Sequence, residues 1–152
     1  MHPESALLKA LDEGRIIQLD SPDKAAALRQ LAGVIQSTGC LPPSTDFLTS
    51  VLRREEQVST YLAFGVAIPH AHVEGEGDLL CAIGWSSDGV QYGNTDEWSV
   101  HLVLMYCIPK SASRSYLSEI AAVAKALEED QRVEFVITSS PRGLQAESVR
   151  LI

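Results

Sequence analysis

Hydrophobic positions in the N-terminal part of the chain recur at helical spacing between short polar breaks, which predicts three amphipathic helices. They occupy residues 5–13, residues 21–38 and residues 44–56, the last with Ser44 as its expected N-cap. Ser21-Pro22-Asp23 is a strong helix start, because Ser accepts free N–H groups, Pro suits the first helical position and Asp complements the helix dipole. Arg15–Leu19, between the first two helices, predicts a strand.

From Val66 onward the pattern changes to short apolar runs bounded by Gly and Pro, which predict strands. These runs are Gly65–His70, Leu79–Trp85, Val90–Tyr92 and Val100–Ile108. Ser86–Gly89 predicts a turn that makes the third run a hairpin partner of the second. Val100–Ile108 is apolar almost throughout, as expected for a central strand covered on both faces.

The C-terminal third returns to helical patterning. Tyr116–Glu129 predicts a long helix, and two shorter helical segments are expected near Asp130–Thr138 and Pro141–Leu151, on either side of a break at Ser139-Ser140-Pro141. Helices therefore precede and follow a block of strands. We expect one α+β domain over residues 1–152, with helices on both faces of a mixed sheet.

Composition narrows the function classes. The 152 residues are 45% hydrophobic and 21% charged, as in ordinary globular proteins, and no apolar run approaches the span of a bilayer. The N-terminus lacks the features of a secretory signal, so we expect a cytoplasmic protein. A net charge of −8 disfavours nucleic acid and anionic lipid as partners. Three widely spaced cysteines suit neither a disulfide framework nor a zinc site.

The segment from Thr60 to His72 carries the candidate chemistry. A Gly-punctuated apolar run leads into Pro69-His70, and the proline fixes the chain and ends strand pairing there. This arrangement predicts that the His70 imidazole is presented at the rim of the sheet. A neutral imidazole can attack a phosphoryl group near pH 7 and pass it onward, so we interpret His70 as a candidate phosphoryl acceptor.

Phosphoryl transfer also requires donors or cations that stabilise the phosphoryl oxygens. Arg54 could supply a charge-assisted contact, and Ser59 or Thr60 hydroxyl contacts, if the helix end folds back over His70. The alternative interpretation of Arg53–Glu56 is a solvated helix end with local ion pairs.

These residues resemble the signature of the fructose/mannitol-type enzyme IIA domain of the bacterial phosphotransferase system, a family that includes the nitrogen-regulatory IIA proteins. The resemblance covers nearly the whole chain. It rests on Arg54-Glu55, Ser59-Thr60, the run Gly65–Ala71, the strand Val100–Met105, Pro109 and Tyr116-Leu117.

The resemblance implies a three-layer α/β/α sandwich around a mixed sheet, a phosphorylatable His70 and a phosphate-facing Arg54. It also implies an HPr-type phosphohistidine carrier as donor, no cofactor, and a IIB domain or a regulated target as a further partner. The family usually has a second histidine at the position that Tyr116 occupies here. A tyrosine hydroxyl can donate a hydrogen bond to a phosphoryl oxygen but cannot carry a positive charge, which favours acceptance over onward relay.

The leading hypothesis is therefore a phosphocarrier in a regulatory or sugar-uptake relay. The alternatives are a binding module of the same fold that His70 phosphorylation switches, and an inactive structural domain. In an extended segment His72 projects to the same face as His70, so it is a possible accessory residue. The two imidazoles would suit a metal site only with a third ligand, which the sequence does not offer, and we expect no metal.

Overall fold

The computed structural model describes residues 5–41, 46–63, 65–93, 99–128, 133–140 and 143–151. The α-helices of this part of the chain are α1 (Ala6–Asp12), α2 (Lys24–Ser37), α3 (Phe47–Gln57) and α4 (Ser113–Glu128). The strands are β1 (Ile16–Gln18), β2 (Tyr61–Ala63), β3 (Val66–Ala67), β4 (His70–Val73), β5 (Leu80–Gln91), β6 (Ser99–Pro109), β7 (Val133–Ser140) and β8 (Gly143–Leu151). A 3₁₀ turn, Lys110–Ala112, leads into α4.

The main sheet has six strands in the order β1-β5-β6-β3-β2, and β4 pairs with β6 beside β3. β5 and β6 are antiparallel, whereas β1 runs parallel to β5, and β3 and β4 run parallel to β6. The sheet is therefore mixed, as the sequence predicts. Parallel partners on one edge and an antiparallel partner on the other leave β6 in the interior of the sheet.

Side chains of β6 alternate between two layers of helices. Val103, Met105 and Cys107 pack in one core with residues of α2 and α3. Leu104, Tyr106 and Ile108 pack in a second core with residues of α1 and α4. Helices on both faces of one sheet confirm the predicted α+β class and the three-layer α/β/α sandwich. Among the described residues, no helix is both long and apolar enough to cross a membrane.

Polar residues cap the helix starts, but the predicted start of the second helix at Ser21-Pro22 is wrong, because α2 begins at Lys24. Ser5 and Asp23 are the N-caps of α1 and α2, and each side chain accepts a backbone N–H from the first turn. The expected third N-cap, Ser44, lies outside the described residues. The N-cap of α3 is Asp46, whose carboxylate accepts hydrogen bonds from both the backbone and the hydroxyl of Thr49.

Strand β5 corrects one prediction. The expected strand, turn and hairpin partner form one continuous strand, and both of its arms pair with β6 across a register shift between Trp85 and Val90. Inside this irregularity the Gly89 N–H donates to Ser86 Oγ at 2.9 Å. Ser86 and Gly89 thus bond to each other within a bulge, and the chain does not reverse.

The C-terminal segments correct a second prediction. Where two short helices were expected, β7 and β8 form an antiparallel pair from Val133↔Leu151 to Ser140↔Gly143. Glu129, the expected end of α4, and Asp130 lie outside the described residues. The sequence of β7 is rich in β-branched and aromatic residues, which lose side-chain freedom in a helix and favour a pleated strand.

Substituting two glycines by alanine should change stability in opposite directions. Gly89 has φ +95°, and an added Cβ would collide with Ser99 Oγ, so Gly89→Ala should lower the free energy of unfolding by about 1–3 kcal/mol. Gly33 lies within α2 with no atom within 4 Å of an added Cβ, so Gly33→Ala should raise it by about 0.5–1 kcal/mol. Urea denaturation of both variants measures the difference. Equal shifts of the same sign would contradict the bulge geometry.

Candidate functional site

Two short strands on one edge of β6 set the position of His70. β3 pairs with Leu102 and Val103, and β4 begins at His70 opposite Tyr106. The sequence predicts one strand ending at His70, and this is wrong: pairing stops after Ala67 and resumes at His70. Pro69 lies in the gap, has no N–H to donate, and accepts a hydrogen bond from the Tyr106 N–H at 3.0 Å.

The His70 imidazole is half-buried, and the backbone carbonyl of Ile68 holds it in place. Its Nδ1 lies 3.0 Å from the Ile68 carbonyl oxygen, so in the neutral ring Nδ1–H donates and Nε2 keeps its lone pair. Burial is the largest cause and lowers the pKa of His70, and the charges of Arg54 and His72 lower it further. The Ile68 hydrogen bond and the charge of Glu55 act in the opposite direction and raise it. The neutral, nucleophilic form of His70 is therefore favoured near pH 7.

Tyr116, in the first turns of α4, packs beside this imidazole. The ring centroids of His70 and Tyr116 are 5.2 Å apart, and Tyr116 contacts Tyr106 edge-on at 5.4 Å. Burial raises the pKa of Tyr116 to about 12, with Arg54 opposing the shift. The phenol is consequently uncharged at neutral pH and can act as a hydrogen-bond donor.

Arg54 lies in the last turn of α3, and its Nη1 donates to the Val58 carbonyl oxygen at 2.9 Å. Its charge lowers the pKa of both His70 and Tyr116. One of the five guanidinium N–H donors is used by Val58, and others can serve an anion at the site.

Ser59 and Thr60 follow α3 and differ in their hydrogen bonds. The Thr60 hydroxyl donates to Glu55 Oε1, and its backbone N–H lies 3.3 Å from Glu55 Oε2. The hydroxyl hydrogen of Thr60 is thus directed at a carboxylate. Ser59 Oγ accepts the Tyr61 N–H at 3.3 Å, which leaves its own hydrogen for another acceptor.

Glu55 is the site residue that sequence reasoning missed. The interpretation of Arg53–Glu56 as a solvated helix end is wrong for Glu55, because its side chain is only 4% exposed and pairs with Lys24 Nζ at 2.8 Å. Tyr92 also donates to Glu55 Oε1 at 3.0 Å, and Lys24 lies 4.2 Å above the Tyr92 ring. The only signal for Glu55 in the sequence was its position directly beside Arg54. Its partners Lys24 and Tyr92 come from distant segments, so no local sequence pattern reveals them.

A continuous chain of hydrogen bonds joins this carboxylate to the imidazole. Glu55 accepts from Thr60, the Thr60 carbonyl accepts the Ile68 N–H at 3.0 Å, and the Ile68 carbonyl accepts from His70 Nδ1. The buried ion pair of Glu55 therefore holds the backbone that orients His70.

His72 is exposed, and its ring centroid lies 6.3 Å from that of His70 at an interplanar angle of 85°. In the part of the chain that the structure describes, no group of three or more His, Cys, Asp or Glu residues could hold a metal ion. His101, the other histidine of the described ranges, bonds the Ser86 carbonyl oxygen through Nδ1 at 2.8 Å.

Exposed apolar side chains flank the site. Val58 is 66% exposed and Leu62 36% on the Thr60 side, and Leu117, next to Tyr116, is 67% exposed. These three side chains, the apolar rim, lie within two residues along the chain of Thr60 or next to Tyr116, and exposed apolar side chains of this kind are available for contact with another protein.

Comparison with known proteins adds family and fold. A family model for the phosphoenolpyruvate-dependent sugar phosphotransferase system, EIIA 2, matches residues 10–142. The fructose-specific EIIABC component of Bacillus subtilis is 29% identical over 111 residues, which are 73% of this chain and 18% of that protein. The chain thus spans less than a fifth of this relative. The fructose-specific EIIA component of Haloferax volcanii is 25% identical over 133 residues, or 86% of each chain.

Among solved structures, the crystal structure of nitrogen regulatory protein IIA-Ntr from Neisseria meningitidis superposes with a TM-score of 0.66. The match has 22% sequence identity and covers 76% of this chain and 79% of that one. This likeness establishes a common fold.

Removing the charge of Glu55 should destabilise the chain. Glu55→Gln should lower the free energy of unfolding by about 1–3 kcal/mol, because Lys24 loses its carboxylate in a largely buried position. Glu74→Gln, the same change on an exposed residue, should stay within about 0.5 kcal/mol of the unmodified chain. Urea denaturation measures both. Equal denaturation midpoints for the two variants would contradict a structural role for the Glu55 carboxylate.

Proposed function

The chain belongs to the EIIA 2 family of the phosphoenolpyruvate-dependent sugar phosphotransferase system, and on that premise we propose that it is a phosphocarrier that accepts a phosphoryl group on His70. The observation that carries the proposal is the state of the imidazole. Nδ1 is engaged by the Ile68 carbonyl, the pKa of the ring is lowered mainly by burial, and Nε2 is left as the nucleophile.

The transfer step balances without a cofactor. The Nε2 lone pair of His70 forms a bond to phosphorus, and the bond from phosphorus to the donor imidazole nitrogen breaks. The electron pair of that bond returns to the donor ring, which leaves as a neutral imidazole when its other nitrogen keeps its proton. The positive charge of the donor ring passes to the His70 ring, where the Nδ1–H bond to Ile68 is retained.

Three side chains are proposed to stabilise the phosphoryl oxygens directly. Arg54 supplies a fixed positive charge, Tyr116 a neutral hydroxyl donor and Ser59 a hydroxyl whose hydrogen is not directed at Tyr61. Thr60 is proposed to act through its backbone, because its hydroxyl donates to Glu55 while its carbonyl accepts from Ile68.

We propose an HPr-type phosphohistidine protein as the donor, in a nitrogen-regulatory or sugar-uptake relay. The apolar rim of Val58, Leu62 and Leu117 supports docking of a protein around His70. The name of the Bacillus relative combines EIIA with EIIB and EIIC, which supports a IIB domain as the acceptor.

The second candidate is a binding module switched by phosphorylation. Tyr116 favours this candidate, because its neutral phenol supplies no positive charge to assist onward transfer of the phosphoryl group. A stable adduct that forms on His70 but never leaves when IIB domains are added would favour this switch over the relay.

Labelling with phosphoenolpyruvate, enzyme I and HPr should give an acid-labile phosphoryl adduct on the chain, and His70→Gln should abolish it. Arg54→Gln should slow the initial rate about 100-fold, because a positioned donor to the phosphoryl oxygens is lost. Arg53→Gln, the matched change at the adjacent exposed residue, should stay within about twofold. No adduct on the unmodified chain, with HPr itself labelled, would overturn the proposal.

The rate of acceptance should fall on the acid side as His70 is protonated, since only the neutral ring has the attacking lone pair. The midpoint of the fall should lie below about pH 6.5, the ordinary histidine value, because burial and then Arg54 lower the pKa of His70. In Arg54→Gln the midpoint should move to higher pH. The measurement is the initial labelling rate against pH with phosphoramidate, a small donor that itself needs no partner protein. An unchanged midpoint in Arg54→Gln would contradict electrostatic contact between the two residues.

A further inference from the structure

Glu119 connects α4, the helix that carries Tyr116, to the start of α1. Its Oε1 accepts a hydrogen bond from the Ser5 hydroxyl at 2.8 Å and another from the Ala6 N–H at 2.7 Å. Ser5 is the N-cap of α1, and the Ala6 N–H is one of the first-turn donors that have no partner inside their own helix. One oxygen atom of α4 therefore binds both the cap and the first free N–H of another helix.

Tyr116 lies on the same side of α4 as Glu119, because residues three positions apart are neighbours on a helix surface. The Tyr116 ring packs beside the rings of His70 and Tyr106, at centroid distances of 5.2 and 5.4 Å. A phenol hydroxyl lies on the axis about which its ring turns, so rotation of the ring does not move it. The position of the Tyr116 hydroxyl therefore follows the first side-chain torsion and the placement of the α4 backbone.

The backbone of α4 is held on both sides of Tyr116. At the first residue of the helix, the Ser113 hydroxyl donates to the Lys110 carbonyl oxygen at 3.2 Å, in the 3₁₀ turn that follows β6. About one turn beyond Tyr116, Glu119 holds the helix to α1. Donors that stabilise a reacting group act from about 3 Å, and a displacement of about 1 Å can cost about 100-fold in rate. A shift of α4 on loss of the Glu119 contact would therefore be visible in the rate.

We propose that Glu119 is a positioning residue for phosphoryl acceptance: by binding the start of α1, it fixes α4 where the Tyr116 hydroxyl can donate to the phosphoryl group on His70. This assignment rests on the proposed function of His70. Glu119 acts through Tyr116 and not on the phosphoryl group itself. The role needs an acceptor oxygen at the position of Oε1, and Glu119→Gln keeps a carbonyl oxygen that can accept both hydrogen bonds.

A double-mutant cycle separates this role from a general loss of structure. The measurement is the initial rate of His70 labelling by phosphoramidate, a donor that needs no partner protein. Glu119→Ala should slow labelling about three- to tenfold, and Glu119→Gln should stay within about twofold of the unmodified chain. Where Tyr116→Phe has already removed the hydroxyl, adding Glu119→Ala should change the rate by less than about twofold. The exposed control Glu74→Ala should stay within about twofold in either background.

Ser5→Gly tests the same contact from the side of α1, for the case in which Glu119→Ala does not fold. It removes the hydroxyl that donates to Glu119, and glycine is well tolerated at an N-cap. Labelling should be about threefold slower than in the unmodified chain, and the substitution should have no effect when combined with Tyr116→Phe. Urea denaturation shows whether each variant is folded under the labelling conditions.

Four results would overturn the assignment while leaving phosphoryl acceptance by His70 intact. The first is a rate within about twofold of the unmodified chain for Glu119→Ala, or for Ser5→Gly where Glu119→Ala is unfolded. The second is equal slowing with and without the Tyr116 hydroxyl, because that is a general defect. The third is equal slowing by Glu119→Gln and Glu119→Ala, and the fourth is an unchanged rate in Tyr116→Phe.

A failure of the proposed function looks different. Absence of any adduct on the unmodified chain, with phosphoramidate and with phosphorylated HPr as donors, would overturn acceptance by His70 together with this inference.

Discussion

The pairing of β6 with two separate strands along one edge is the constraint on which the His70 region depends. β3 ends at Ala67 and β4 begins at His70, so the chain has only Ile68 and Pro69 in which to interrupt and resume its hydrogen bonds. That interruption frees the Ile68 carbonyl from the sheet, and the His70 Nδ1 uses it. The register of β3 and β4 along β6 therefore determines which carbonyl is free to orient the imidazole.

The second support of the site is the buried ion pair of Glu55 and Lys24, which is separate from the His70 imidazole. Glu55 gathers Lys24 from α2, Thr60 from the segment after α3, and Tyr92 from the chain after β5. A buried carboxylate is costly unless every oxygen is satisfied, and here both oxygens have partners. The same residue that fixes Thr60 directly follows Arg54, so one helix end supplies both a structural anion and a cation for the site.

Sequence reasoning reached the parts of the structure that local patterns encode. The apolar run of β6, the polar start of α2 and the Pro69-His70 junction each leave a signature within a few residues, although Asp23 and not the expected Ser21 is the N-cap of α2. It missed features decided by distant partners. Ser86–Gly89 looks like a turn until β6 pairs with both of its flanks, and Glu55 looks solvated until Lys24 and Tyr92 reach it. In β7 the helical spacing of the apolar residues was misleading, and their β-branched character was the better guide.

The hydrogen-bond chain from Glu55 through Thr60 and Ile68 to His70 has a consequence for how the site is opened and formed. Its links join residues that are close in the chain, all between Glu55 and His70, whereas β4, which begins at His70, pairs with the distant and largely buried β6. The links themselves have low contact order and can close early in folding, and the long-range step is the pairing of β4 with β6. The Ile68 amide donates to the Thr60 carbonyl, next to the edge strand β2, so it exchanges with solvent when this edge opens locally, without separation of β5 from β6. The imidazole is thus oriented by local hydrogen bonds at the edge of the sheet, which can open without unfolding of the core.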